Sequence, residues 1–141
     1  MSGRDGSLTG GVDRTTEPTQ IRRVGTVVLL AHAILGWALC GAIMGVAMSR
    51  TSVKRALWIH AIGAPIVFGL LSLLYFMVFS FTSPLVTAVT FVGVVIAMDV
   101  GVVAPFIEKS YAMFRSPLGT WIPFGLILVT TYVVGLVSAT P

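Results

Sequence analysis

Four long blocks of apolar residues, separated by short polar segments, dominate the chain. They cover residues 24–48, 56–79, 85–107 and 118–138. A helix needs about 20 residues, at a rise of about 1.5 Å each, to cross the hydrocarbon core of a bilayer, and every block reaches that length. None of the blocks alternates polar and apolar residues as a barrel strand does. The pattern therefore predicts an all-α fold, an integral membrane four-helix bundle.

The segments outside the blocks predict a tail and three loops. Residues 1–22 are rich in Gly, Ser, Thr, Asp and Arg and have almost nothing to bury, which is typical of a disordered N-terminal tail. The apolar stretch that follows is too long for a signal peptide, so we expect the tail to be retained. The loop at 80–84 is short and uncharged, and we expect the second and third helices to form a close hairpin.

Composition agrees with a lipid-facing surface. Hydrophobic residues make up 56% of the chain and charged residues only 10%, against about 25% charged in soluble domains. The net charge is +4, but the cations flank the apolar blocks, where they set topology and touch lipid phosphates. No basic groove or recognised motif accompanies them. We therefore expect the lipid bilayer as a partner and no nucleic acid.

The distribution of cations predicts an orientation in a cell membrane. Loops 49–55 and 108–117 lie on one face and carry five cations, while Arg22 and Arg23 precede the first helix on the other face. The positive-inside rule favours the two loops as cytoplasmic, although Arg22 and Arg23 argue the other way. Tryptophans and cations near the span ends are predicted interfacial anchors. These anchors are Trp58, Trp121, Arg22, Arg23, Lys54 and Arg55.

Small residues recur on two of the predicted helices. The first helix carries Gly36, Gly41 and Gly45, and the third carries Gly93, Ala97 and Gly101. Small residues spaced by four let helix backbones approach closely in lipid. The pattern predicts tight packing, either inside the bundle, in a homo-oligomer or in a larger membrane complex.

Asp99 is the only carboxylate inside an apolar block. An ionised carboxylate at the centre of a span costs about 2.5–3.5 kcal/mol on insertion scales, so such residues usually face the bundle interior and pair with a neighbour. Asp99 is about 12 Å below the loop face and His60 about 6 Å below it. A His60–Asp99 pair is therefore predicted. It would act either as a proton or cation relay or as a structural buried pair.

His32 lies eight residues inside the first block, nearer the opposite face. Hydroxyl residues at a similar depth predict a second polar cluster in which His32 bonds a hydroxyl between helices. These residues are Ser72, Tyr75, Thr87, Thr90, Thr131 and Tyr132. His32 and His60 are separated by about 18 Å of helical rise, so one haem iron cannot take both as axial ligands.

Other chemistries lack their residues. A zinc site needs three or four converging Cys, His or carboxylate ligands, and the chain has one Cys and two His at different depths. The patterns GxSxG, GxGxxG and the P-loop are absent. We therefore expect no catalytic residues, no metal and no cofactor, and an enzyme is the least favoured class.

Two stretches carry a resemblance to known proteins. Residues 57–65 read LWIHAIGAP and residues 116–124 read SPLGTWIPF. They resemble small uncharacterised bacterial four-helix integral membrane proteins, over most of the chain after the tail. The resemblance implies four membrane helices and assigns no catalytic or binding residue.

Three classes of function remain open. The favoured one is an accessory or structural membrane subunit that acts through helix contacts. The alternative is an oligomeric transporter or channel, coupled to protons or cations, that uses Asp99 and His60. The third is a membrane redox or lipid enzyme, which the missing motifs disfavour.

Overall fold

The structure, a computed structural model, describes residues 17–139, most of which form four long helices. Helix α1 is Glu17–Arg50, α2 is Val53–Val78, α3 is Pro84–Met98 and α4 is Ile122–Ala139. A π-helical segment, Asp99–Ile107, continues α3, and another, Pro117–Trp121, leads into α4. All four helical units are long and apolar enough to cross a membrane. The predicted all-α four-helix bundle is confirmed, and the chain is a multi-pass membrane protein.

Helix α1 begins earlier than the sequence predicts. The predicted disordered tail covers 1–22, of which residues 1–16 lie outside the described residues, whereas residues 17–22 are helical. With 34 residues α1 is about 51 Å long, well beyond the roughly 30 Å of hydrocarbon. Its first turns, with the exposed Arg22 and Arg23, therefore extend past the apolar layer.

The helices form a ring in the order α1, α2, α4, α3. Each helix packs against its two neighbours in the ring, so α2 and α3 lie diagonally opposite each other. The expectation that α2 and α3 form a close hairpin is therefore wrong. The short connection allows this because only the ends of the two helices have to be near each other. Across the centre, the rings of Phe68 and Phe91 meet with centroids 5.5 Å apart.

The bundle centre is filled by aromatic side chains that pack against small residues. Phe68, Tyr75 and Phe91 are fully buried. A Cβ on Gly36 would lie 2.6 Å from Cζ of Phe68, so α1 approaches α2 here only because residue 36 has no side chain. Outside, large apolar side chains are exposed, such as Met77 at 74%. An apolar exterior of this kind suits lipid rather than water.

The π-helical continuation of α3 begins at Asp99. In this segment each backbone hydrogen bond joins residues five positions apart, as in the 2.8 Å bond from the Glu108 N–H to the Val103 carbonyl. Pro105 lies within it and contributes no N–H donor. π-helical turns within α-helices are frequent at functional sites. The change from α-helix to π-helix at Asp99 therefore makes this residue a candidate functional position.

The connection between Ile107 and α4 is bound to the helix that follows it. The indole Nε1 of Trp121 donates to the Phe114 carbonyl at 2.9 Å, and the Thr120 hydroxyl donates to the Met113 carbonyl at 2.8 Å. A 3-10 turn, Ala112–Arg115, forms part of this connection. These bonds hold the third loop against the π-helical segment that leads into the start of α4.

Candidate intramembrane polar site

Asp99 is bound to α1 through an indole. Nε1 of Trp37 donates a 2.9 Å hydrogen bond to Oδ1 of Asp99, and both side chains are partly buried. The indole N–H is a donor without acceptor capacity, so it suits a carboxylate oxygen. This is the single hydrogen bond of the Asp99 side chain in the described part of the chain. Its two residues join the first and third membrane helices.

His60 does not pair with Asp99. Among residues 17–139 no hydrogen bond or ion pair joins the two side chains. The imidazole of His60 lies instead against the backbone of Cys40 on α1, in weak hydrogen-bonding contact, and its buried Nδ1 has no partner of good geometry among these residues. The predicted pair does not form because α2 and α3 are diagonal in the bundle. His60 and Asp99 each contact α1, which packs against both of their helices.

Cys40 connects the two halves of this region. Its side chain is buried and lies near the carboxyl group of Asp99. Its backbone meets the ring of His60. Trp37, Cys40, His60 and Asp99 thus form one polar region around α1, which we call the α1 polar site. It provides an acid, a base and a thiol but no continuous chain of hydrogen bonds between them.

Sequence reasoning missed Trp37, although a signal was present. A titratable side chain is one kind of partner for a buried carboxylate, and an indole N–H, which is also a strong donor, is another. Trp37 is the tryptophan farthest from any span end, since Trp58 and Trp121 lie close to theirs. A tryptophan in the middle of an apolar block needs an acceptor for its N–H, and Asp99 is the obvious one.

His32 contributes to a second, mainly aromatic site. Its Nδ1 donates to the Val28 carbonyl of its own helix at 2.8 Å, and its ring meets the rings of Tyr75 and Phe79 edge-on at 5.7 and 5.6 Å. The predicted bond from His32 to a hydroxyl on another helix is not formed in the described residues. The His32 ring is held to α2 by packing instead.

The hydroxyls near His32 bond to one another. Tyr75 Oη and Thr82 Oγ1 are 2.9 Å apart, Thr82 Oγ1 and Thr87 Oγ1 are 2.7 Å apart, and Thr87 also donates to the Ser83 carbonyl at 3.0 Å. This series of hydrogen bonds connects the C-terminal end of α2 to the N-terminal start of α3. Thr131, which is fully buried on α4, has a hydroxyl without a partner in the described residues.

The small residues divide into packed and open positions. Gly36 is packed against Phe68. Four others have no atom of another element within 4 Å of a Cβ built on them, and Ala97 is exposed. These four are Gly41, Gly45, Gly93 and Gly101. The two ridges predicted from the sequence therefore point away from the bundle, except at Gly36.

The predicted anchors lie at the surface of the bundle. Trp58 and Trp121 are 53% and 58% exposed, and each lies near an end of its helix. The four predicted cationic anchors, Arg22, Arg23, Lys54 and Arg55, are all exposed. These positions suit contact with the membrane interface.

Comparison of the chain with other proteins adds no functional assignment. Within residues 17–139, no three His, Cys, Asp or Glu side chains come together as metal ligands. No family model matches the sequence, and neither a curated protein nor a solved structure is significantly similar to it.

Proposed function

We propose that this protein is an accessory or structural subunit of a cell-membrane assembly and acts through helix contacts with other chains. The observation that carries the proposal is the open space around Gly41, Gly45, Gly93 and Gly101. Small residues at this spacing permit close backbone approach in lipid, and inside the bundle they are not used for that purpose. The outer faces of α1 and α3 are thus the surfaces offered to partner helices.

The distribution of polar groups also supports this function. Asp99, the carboxylate within the spans, is hydrogen-bonded to Trp37 between α1 and α3. The outer face of α3 is therefore left apolar. By the positive-inside rule, the assembly would have the loops at 49–55 and 108–117 on the cytoplasmic side.

The test is native mass spectrometry of the protein, extracted gently from its own membrane. A complex of fixed stoichiometry with other chains is expected. Replacing both glycines of α1, Gly41→Leu with Gly45→Leu, should release the partners, as should Gly93→Leu with Gly101→Leu. Gly125→Leu is the matched control, because its position is equally open but its neighbours four residues away, Trp121 and Val129, are large. A chain that is monomeric in its own membrane would refute the proposal.

A second function, proton or cation movement through a homo-oligomer, is supported by one observation. Nδ1 of His60 is buried without a partner of good geometry among residues 17–139, which leaves one imidazole nitrogen without a hydrogen bond inside a membrane span. Asp99 would be the second proton- or cation-binding group, deeper in the membrane than His60, and the conduit would lie between protomers. Flux into proteoliposomes tests this function: Asp99→Asn should abolish it, and Glu108→Gln, in the exposed loop, should not.

A further inference from the structure

A groove opens to the outside between α1 and α2. Its apolar wall consists of Ala42, Ile43, Val46 and Ala47 from α1, with Ile59 from α2, and Arg50 and Thr51 lie at one end. The cavity volume is about 480 Å³. Sites for small molecules usually have volumes of about 300–1,000 Å³, so the groove is large enough for part of a lipid.

Residue size explains why the groove exists. Ala42 and Ala47 leave the surface of α1 low where larger side chains would fill it. The deep part is closed by Ile43, whose Cδ1 would lie 3.5 Å from a Cβ built on Gly63 of α2. The two helices are therefore in contact there, and the groove is bounded.

The length of the groove matches one leaflet of a bilayer. From Ala42 to Thr51 the helical rise is about 13–14 Å. Half of the hydrocarbon core is about 15 Å. Since α1 ends at Arg50, the polar end of the groove lies at the headgroup level, and the deep end lies near the bilayer centre.

The charge at the polar end suits an anion. Arg50 lines that end and is exposed, and Lys54 and Arg55, which do not line the groove, are exposed in the first turn of α2 on the same membrane face. From Ser49 to Ile59 the sequence contains no acidic residue. Each cation near a membrane surface favours anionic lipid by about 1 kcal/mol, which corresponds to a factor of about five.

A second groove, between α2 and α4, provides an uncharged comparison for the α1–α2 groove. It is lined by residues such as Pro65, Gly69, Leu73 and Thr130, and its volume is about 580 Å³. None of the described residues that line it is charged, and its polar side chains are the hydroxyls of Thr130 and Ser138. It resembles the first groove in size and apolar character but, among residues 17–139, it has no cation to attract a phosphate.

We propose that the α1–α2 groove binds an anionic phospholipid. One acyl chain lies along Ala42, Val46, Ala47 and Ile59, and the phosphate lies against Arg50. The α2–α4 groove takes acyl chains without regard to the headgroup. The open glycines of α1 and α3 are not among the residues that line this groove.

The full-length protein, stripped of lipid in detergent, is titrated with phosphatidylglycerol or phosphatidylcholine of identical acyl chains, and bound lipid is counted by native mass spectrometry. We expect one site to prefer phosphatidylglycerol. Arg50→Gln should lower that preference about fivefold. Arg115→Gln, which removes an exposed cation from the same membrane face outside the groove, should leave it unchanged. Equal binding of the two lipids, or an equal loss in both variants, would overturn the proposal.

Filling the groove separates a lipid site from a simple anion site. Ala42→Phe should weaken phosphatidylglycerol binding while circular dichroism shows an unchanged helix content. Glycerol phosphate, which has the anionic group but no acyl chain, should compete only at far higher concentration than the lipid. If glycerol phosphate competes as well as the lipid, or if Ala42→Phe binds lipid normally, the groove is not the site.

Discussion

The indole of Trp37 and the carboxylate of Asp99, 62 residues apart in the chain, form a 2.9 Å hydrogen bond between α1 and α3. A carboxylate near the middle of a span costs about 2.5–3.5 kcal/mol on insertion scales. A hydrogen bond to a charged group contributes about 1.5–3 kcal/mol. The bond from Trp37 is therefore comparable to the cost of burying Asp99, and it also fixes the register of the two helices.

Removing the donor tests this relationship. Trp37→Phe keeps the aromatic ring but leaves Asp99 without a partner, and it should lower the free energy of unfolding by about 1–3 kcal/mol. In the Asp99→Asn background the same change should cost clearly less, because a neutral amide is cheaper to leave unpaired. A double-mutant cycle, measured by reversible unfolding in mixed micelles, gives the coupling. A coupling of zero would mean that the bond contributes nothing.

The arrangement of α2 and α3 predicts that His60 and Asp99 are coupled far less strongly than Trp37 and Asp99. The two residues lie on diagonal helices with no bond between them in residues 17–139, and they are linked through Cys40 on α1, whose backbone contacts His60 and whose side chain lies near Asp99. The effects of His60→Ala and Asp99→Asn on unfolding should add to within about 0.5 kcal/mol. The same measurement checks it, with Trp37→Phe and Asp99→Asn as the coupled reference pair. A large coupling between His60 and Asp99 would contradict the ring order of the helices.

The glycines of α1 should respond in opposite ways to an added methyl group. At Gly36 the new Cβ would lie 2.6 Å from Cζ of Phe68, which is fully buried and cannot move away easily. Gly36→Ala should therefore destabilise the isolated chain by about 1–3 kcal/mol. Gly41→Ala meets open space and should be neutral or slightly stabilising, because alanine is the better helix former. Equal effects at the two positions would show that α1 packs differently.

The spans could be predicted from the sequence, and the contacts between them could not. Length and hydropathy determine which segments cross a bilayer, so the blocks at 56–79 and 85–107 correspond closely to Val53–Val78 and Pro84–Ile107. Neighbours in the bundle depend on side-chain shape at the centre. The contact of Phe68 with Gly36, for instance, brings α1 beside α2, and hydropathy does not report such a fit.

The candidate site shows the same division. A carboxylate in an apolar block is conspicuous whatever the packing, so the sequence alone indicates Asp99. Its partner depends on which helix lies next to it: a hairpin of α2 with α3 predicts His60, whereas the observed order of the helices makes it Trp37. The small residues were recognised as packing positions, but whether a glycine faces inward, like Gly36, or outward, like Gly41, requires the position of the neighbouring helices.

Two buried threonines provide a matched test of the polar interior. Thr131 and Thr87 are both fully buried, but the Thr131 hydroxyl has no partner among residues 17–139, whereas that of Thr87 bonds the Ser83 carbonyl at 3.0 Å and lies 2.7 Å from Thr82 Oγ1. Valine has the same shape without the hydroxyl. Thr131→Val should therefore stabilise the bundle by about 1 kcal/mol, because it removes an unsatisfied buried group.

Thr87→Val should have the opposite effect, a loss of about 1–3 kcal/mol, because it leaves the Thr82 and Ser83 groups with fewer bonds. Unfolding in mixed micelles measures both variants under the same conditions. Since the substitution is identical, differences in side-chain volume and helix propensity largely cancel, and the comparison isolates the hydrogen bonds. If Thr131→Val destabilises as much as Thr87→Val, the Thr131 hydroxyl has a partner in the folded protein, and the interior of α4 is more polar than residues 17–139 alone indicate.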